Sequence, residues 1–215
     1  MDRTELEHLL AQSQTRFADC SFDGADLSRL DLQGCIFERC TFAETNLYAG
    51  KLAGTKWLRC RAGGADFEAV DAVDAHFEGC DLNNSKWRRA RLASATFRSC
   101  KLTGASFEEA AHLGLRFEDS LLVGADLRGF GFKGATLKHL DFSDAYLSGC
   151  DFREAVFEGG SLRNAVLKQA KFADADLREA DIEGVRLTDA AMFKGAVISH
   201  AQAAALLREL GLIVT

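Results

Sequence analysis

The chain has no proline in 215 residues. Average usage is about 5%, so some physical demand excludes proline along nearly the whole length. Nor does any run approach the roughly 18 consecutive apolar residues of a membrane-spanning helix. The opening stretch Met1–Leu10 lacks the basic-then-apolar order of a secretion leader, and the expectation is a cytoplasmic protein without a membrane partner. Cations are not in excess: 26 basic against 32 acidic side chains leave a net charge of −6, which argues against direct nucleic-acid binding through a basic patch. Polar low-complexity tracts are missing and 47% of residues are hydrophobic, a composition that buries a core. No GxSxG, HExxH, P-loop or dinucleotide fingerprint occurs. The five histidines, at 8, 76, 112, 139 and 200, are scattered. The expectation is no catalytic residue, no cofactor and no small-molecule substrate.

What is present is a repeat. Counting every fifth residue from Phe17 gives Phe17, Phe22, Leu27, Leu32, Phe37, Phe42, Leu47, Leu52 and Trp57, running on to Ile182, Leu187 and Met192 without an insertion. Only His112 in this series is polar. The residue two earlier is nearly always small: Cys20, Ala25, Cys35, Cys40, Thr45, Ala65, Ala105. A period of five matches neither a helix nor a plain strand. It suits a chain that bends once per five residues, with the small and large residues of each unit pointing to one side. Glycine collects two positions after the large residue, at Gly24, Gly34, Gly54, Gly64 and Gly104, where corners need unusual dihedrals.

These in-phase units over residues 15–194 resemble the pentapeptide-repeat family, whose motif is A(D/N)LxX. The resemblance implies an all-β fold: a right-handed quadrilateral β-helix of about nine coils, each of four repeats or 20 residues. At the spacing of stacked strands such a rod would be roughly 43 Å long. Coil-to-coil ladders would use most backbone N–H groups, and proline lacks that donor. The absence of proline follows.

Stacking at 20 residues places Cys20, Cys40, Cys60, Cys80 and Cys100 in one inward column, continued by Ser120 and Leu140. They read as a ladder of small buried thiols. Seven cysteines in all is odd for a disulfide framework, and no CxxC spacing or clustered histidine suggests zinc, so no metal is expected. Val70 with Ala72 keeps total volume by exchanging the large and small slots. The least regular stretch is Ala110–Leu115, where His112 takes a core slot. His112, Leu113, Leu115 and Leu121 mark a candidate hinge or partner-contact belt, or a simple irregularity.

The ends require caps. Residues 1–14 read as a helical N-terminal lid, with Thr4 and Glu7 at capping-box spacing. Residues 195–215 read as a helix begun by a second box, Ser199 with Gln202, and ended at Gly211; Leu212–Val214 reads as a short strand. This segment resembles the C-terminus of the Qnr-type quinolone-resistance proteins and their mycobacterial relative. The resemblance implies a homodimer through the C-terminus, with Leu206, Leu207, Leu210, Leu212 and Ile213 at its interface. The interruption loops of many Qnr-type proteins are absent here, which places the chain with a loop-free subgroup.

Summed by face, outward charge is uneven. The face built on Phe22, Phe42 and Ala62 through Ile182 carries Asp23, Glu44, Asp81, Asp141, Asp144, Asp181 and Glu183, opposed by Arg61, Lys101 and Arg163, a net −4. With the resemblance, this implies a DNA-mimicking partner of DNA gyrase or topoisomerase IV that modulates the enzyme and protects it from fluoroquinolones or toxins. The alternative is a general protein–protein scaffold with another partner.

Overall fold

The computed structural model describes residues 1–185, 190–209 and 211–213. Its contacts divide the chain into two compact units, Met1–Leu121 and Leu122–Thr215. Each is a β-solenoid.

In the first unit, three-residue strands recur every 20 residues: β1 Arg16–Ala18, β2 Ile36–Glu38, β3 Lys56–Leu58, β4 His76–Glu78, β5 Thr96–Arg98 and β6 Arg116–Glu118. They stack in parallel, in chain order, in one six-stranded sheet. The register holds Phe17 on Phe37, Phe37 on Trp57, Trp57 on Phe77 and Phe97 on Phe117. The other three sides of each coil pair through single bridges, such as Ser21 with Thr41, Asp26 with Asn46 and Asp31 with Lys51. The strands are short because the chain turns after every large inward residue. Phe17, Phe37, Trp57, Phe77 and Phe97 are buried, with neighbouring rings stacked or tilted at 4.7–5.5 Å.

In the second unit β7 Thr136–Lys138 pairs with β8 Val156–Glu158. Bridges from Asp126, Gly131 and Asp141 continue the other sides. The aromatic stack here is Phe132, Phe152, Phe172 and Phe193, at centroid spacings of 4.8–5.0 Å.

The corner is the repeating conformational event. Every fifth residue from Asp19 to Asp174 has positive φ, whether glycine or not. On three sides the corner is a turn closed by an i to i+3 hydrogen bond, as from the Ala25 amide to the Phe22 carbonyl at 3.0 Å. The left-handed position favours glycine, yet Arg29, Glu44 and His139 occupy it too. The ladders tolerate that cost because they fix the backbone on both sides. The inter-coil bonds run through nearly every coil, for example Phe22 to Thr41 at 2.7 Å and Thr41 to Cys20 at 2.9 Å. This is the demand that excludes proline.

Helix α1, Arg3–Ala11, lids the first unit. Its cap is Asp2, whose Oδ1 accepts the Glu5 amide at 2.9 Å, not Thr4 as the spacing suggested. Asp2 sits two residues earlier with an equally good acceptor, and starting there lets Leu6 reach full burial while Arg3 Nη1 donates to the Ser28 carbonyl at 2.9 Å. That carbonyl belongs to the first coil, which has no earlier coil to supply a donor.

At the other end a 3-10 turn, Ala190–Phe193, leads to α2, His200–Glu209. The Ser199–Gln202 box forms as expected, at 2.6 and 3.2 Å. The helix stops at Gly211, φ +81°, by a Schellman pattern: Gly211 N–H to the Arg208 carbonyl, and Leu212 N–H to the Leu207 carbonyl at 3.1 Å. The strand expected over Leu212–Val214 is not formed at Leu212 and Ile213. The Leu212 amide is spent on the helix end, leaving no ladder donor there. Leu187, Leu210 and Val214 lie outside the described residues.

Candidate partner-binding surfaces

The acidic residues of the candidate face are built into the corners. In the first unit Asp81 Oδ1 accepts the Asn83 amide at 3.3 Å, and Asp23 Oδ1 accepts the Ala43 amide at 2.7 Å, one coil on. In the second, Asp141 and Asp181 accept the Ser143 and Glu183 amides, each at 2.9 Å. The Asp81, Asp141 and Asp181 carboxylates each cap their own turn through an Asx motif, while Asp23 ties its corner to the next coil. The amide of Ala43 and the hydroxyls of Thr41 and Ser21 hold the Asp23 carboxyl below its ordinary value, against the opposing effect of burial. Glu183 pairs with Arg163 at 2.9 Å. The Glu44 side chain lies over Gly64, where there is no Cβ to meet it. Glu44 and Asp144 are both at left-handed corners, φ +53° and +57°. The side chains are outward, and four of the seven, Asp23, Asp81, Asp141 and Asp181, each hold a backbone amide, a structural duty that charge counting did not reveal.

The irregular stretch belongs to the first unit. His112 is half-buried, with Nδ1 3.0 Å from the Ala110 carbonyl. Leu115 is half-buried, Leu121 is 42% exposed and Leu113 85% exposed. Leu113 and Leu121 stand on different corners of the coil, separated in the chain by β6, so they do not form one patch.

At the C-terminal end the expected interface residues part company. Leu206 is buried against its own solenoid, beside Leu162, Leu177 and Ile182. An apolar residue on the docked side of a capping helix covers the open core first. Leu207, Leu212 and Ile213 are 40%, 54% and 91% exposed. Leu210 is outside the described residues.

The cysteine column has a role that the sequence did not disclose. On the strand-bearing side of the first unit the corner lacks its i to i+3 bond. The side chain one coil on completes it. Ser120 Oγ accepts the Cys100 amide at 3.1 Å and lies 3.3 Å from the Phe97 carbonyl. The thiols of Cys60, Cys80 and Cys100 receive the amides of Cys40, Cys60 and Cys80 in the same way. Cys40, Cys60, Cys80 and Cys100 donate to the carbonyls of Phe17, Phe37, Trp57 and Phe77 at 3.2–3.5 Å. The position demands a small side chain that both donates and accepts, hence Cys and Ser. All seven cysteines are free thiols, six of them buried. The Cys80 thiol is pushed up to about 12, first by its bond to Cys100, and burial lifts Cys150 to about 12. Among the described residues no group of three or more His, Cys, Asp or Glu side chains could hold a metal ion, and no helix is long and apolar enough to cross a membrane.

A stack of 20-residue parallel coils with a packed interior and chemistry displayed only outside defines a β-solenoid scaffold of five-residue units. Two family models match it: the pentapeptide repeat region at residues 13–87, and pentapeptide repeats at 73–109, 116–153 and 150–189. The chain belongs to the pentapeptide-repeat family. The gap at 110–115 falls on the irregular stretch around His112. Among solved structures, full-length QnrB1, a plasmid-mediated fluoroquinolone resistance protein, aligns with a TM-score of 0.78 at 20% identity, covering 92% of this chain and 100% of that one. A trypsin-treated form of QnrB1 aligns with a TM-score of 0.78 at 22% identity, covering 92% and 99%. At such identities the likeness is one of fold. No curated protein matches the sequence.

Proposed function

We propose that this protein is a non-enzymatic, cytoplasmic DNA mimic that binds a type II topoisomerase, DNA gyrase or topoisomerase IV, and modulates it, with protection against fluoroquinolones or topoisomerase poisons as the outcome. The observation that carries the reading is the match of fold to QnrB1 over the full length of that protein. Supporting it are the acids Asp23, Glu44 and Asp81 on the first unit and Asp141, Asp144, Asp181 and Glu183 on the second. B-DNA carries about one charge per 1.7 Å, so these acids imitate it sparsely, and shape must contribute alongside charge. The working form is a homodimer through the C-terminus, joined by Leu207, Leu212 and Ile213, with Leu210 beside them in sequence. On the first unit, His112, Leu113 and Leu115 are one secondary contact site and Leu121, across the coil, is another. The functional division is 1–14 lid, 15–194 solenoid and 195–215 dimerisation segment.

Supercoiling by purified gyrase, with and without a fluoroquinolone, tests this at about 10 µM protein, where a micromolar complex is largely formed. The expected result is altered supercoiling or reduced drug-induced cleavage. No effect on either refutes the reading. Reversing Asp141, Asp144, Asp181 and Glu183 to Lys should weaken binding by about tenfold or more at low salt and flatten its salt dependence; unchanged affinity removes this acidic patch. Sedimentation should give a dimer that Leu207→Asp with Ile213→Asp converts to monomer. A wild-type monomer at high micromolar concentration removes the dimer.

One observation favours a second reading, a scaffold for a different protein partner. Asp81, Asp141 and Asp181 are engaged in their own turns, as structural acids of any pentapeptide repeat would be. Retention of a non-topoisomerase partner together with inert behaviour in the supercoiling assay would establish it.

A further inference from the structure

Beneath α2, within the second unit, lies a cavity of about 200 Å³ lined by Leu162, Leu177, Ile182, Val185, Phe193, Ala196, Ile198 and Leu206. Among the described residues every lining side chain is apolar. The nearby polar group is the Gln202 side-chain amide, and its capacity is taken up. Its Oε1 accepts the Ser199 amide at 2.6 Å, and its Nε2 donates to the Leu177 and Ala180 carbonyls, both at 2.7 Å. The last coil and the helix are therefore held together by their polar rims and stand apart in their apolar middle. Such a mainly apolar space offers water few partners. Dry apolar cavities of about 150 Å³ lined by Leu, Ile and Phe take up benzene or xenon.

We propose that this cavity is a binding site for a small uncharged apolar molecule, of the size of benzene up to a bicyclic aromatic. Among the described residues no lining side chain is charged or hydrogen-bonding, which disfavours a charged ligand, because it would lose its water without compensation. The walls Leu162 and Leu177 are rigid, 1% exposed and anchored in the coil ladders, while Phe193, Ala196 and Ile198 on the other wall are half-buried.

Benzene is the probe. Titrated into the full-length protein, it should bind with a Kd on the order of 0.1–1 mM and raise Tm by roughly 2–5 °C at about tenfold excess over Kd. Methyl NMR should show the perturbation at Leu162, Leu177, Ile182, Val185 and Leu206. Ala196→Leu places three added carbons in the cavity and should abolish both effects; Ile182→Phe fills it from the solenoid side and should do the same. No benzene effect in the wild type up to its solubility limit overturns the proposal. So does an undiminished effect in both filled variants, or perturbation confined to methyls outside the cavity. If one variant fails to fold, the other decides, and xenon replacing benzene must perturb the same methyls.

Discussion

The two units follow one five-residue pattern with different interiors. In Met1–Leu121 the column Cys40, Cys60, Cys80, Cys100 and Ser120 is a line of hydrogen-bonding side chains that finish the corners. In Leu122–Thr215 the same column reads Leu140, Gly160, Ala180, and none of these side chains can donate or accept. Leu140 fills space, and Gly160, φ +83°, brings its backbone so close that an added Cβ would collide with the Leu140 carbonyl oxygen. The charges differ as well. The first unit ties coils together with ion pairs 20 residues apart, Arg39 to Asp19 at 2.7 Å, Lys51 to Asp31 at 3.1 Å and Arg91 to Asp71 at 2.9 Å. The second has such pairs too, Lys138 to Glu158 and Arg163 to Glu183, and adds a local Asp-x-Arg module, with Asp126–Arg128, Asp151–Arg153 and Asp176–Arg178 each at 2.6 Å. A corner can thus be completed by polar chemistry or by close packing, and the repeat frame is indifferent to which.

The largest effect should come where packing is the only device. Gly160→Ala must move the Leu140 carbonyl and place a Cβ at a left-handed φ, at a cost of about 3–5 kcal/mol. Gly124→Ala, φ +63° with nothing within 4 Å of its added Cβ, should cost about 1 kcal/mol. Urea unfolding of the two variants gives the contrast. Equal losses would mean that the dihedral, not the close approach, is what Gly160 supplies.

The polar column should respond to chemistry rather than size. Cys80→Ser keeps a donor and acceptor, as Ser120 does naturally, and should cost under about 1 kcal/mol. Cys80→Val leaves the Cys60 amide and the Trp57 carbonyl without their partner and should cost about 1–3 kcal/mol. If Val is tolerated as well as Ser in chemical denaturation, the column is packing alone, and the two units do not differ in kind.

The fold was legible because its signal is a strict period. One residue in five must be large and inward, and no coil can slip without moving every side chain, so the frame survives even at Val70 and Ala72. The Ser199–Gln202 box was legible for a similar reason, since its partners are local. Much of what was not legible depends on contacts 20 or more residues apart, and the rest on which local partner the folded chain selects. Cysteine reads as small and apolar in one dimension, and only the missing turn bond on the strand-bearing side shows why Ala would not do. Asp2 and Thr4 are equivalent as caps until Leu6 must be buried. Charge counting placed Asp81, Asp141 and Asp181 outward, which they are, without showing that each closes its own turn. Leu206 and Leu207 are neighbours in an amphipathic pattern, and the direction of the docked face separates a buried residue from an exposed one.

The smallest effect concerns the ion pairs. Arg39 holds the Asp19 carboxyl below its ordinary 3.8, chiefly through their hydrogen bond, and Arg153 does the same for Asp151. A carboxyl depressed in the folded state contributes stability above its unfolded value, and that contribution is lost as pH falls through the folded one. Stability should therefore be level from about pH 7 to about pH 5 and decline below about pH 4. These pairs are exposed, so the decline is shallow and is reduced at about 1 M salt, where the Debye length is about 3 Å. The comparison predicts a further asymmetry. Arg39→Gln removes a link between coils, and should accelerate hydrogen exchange of the Asp19 and Arg39 amides, which donate across coils to Glu38 and Leu58. Arg153→Gln removes a pair that spans only two residues of one corner, and the Glu154 amide, bonded to Ala173 in the next coil, should keep its protection. Equal acceleration at both sites would mean that the long-range pairs add nothing to coil stacking beyond what the backbone ladders already supply.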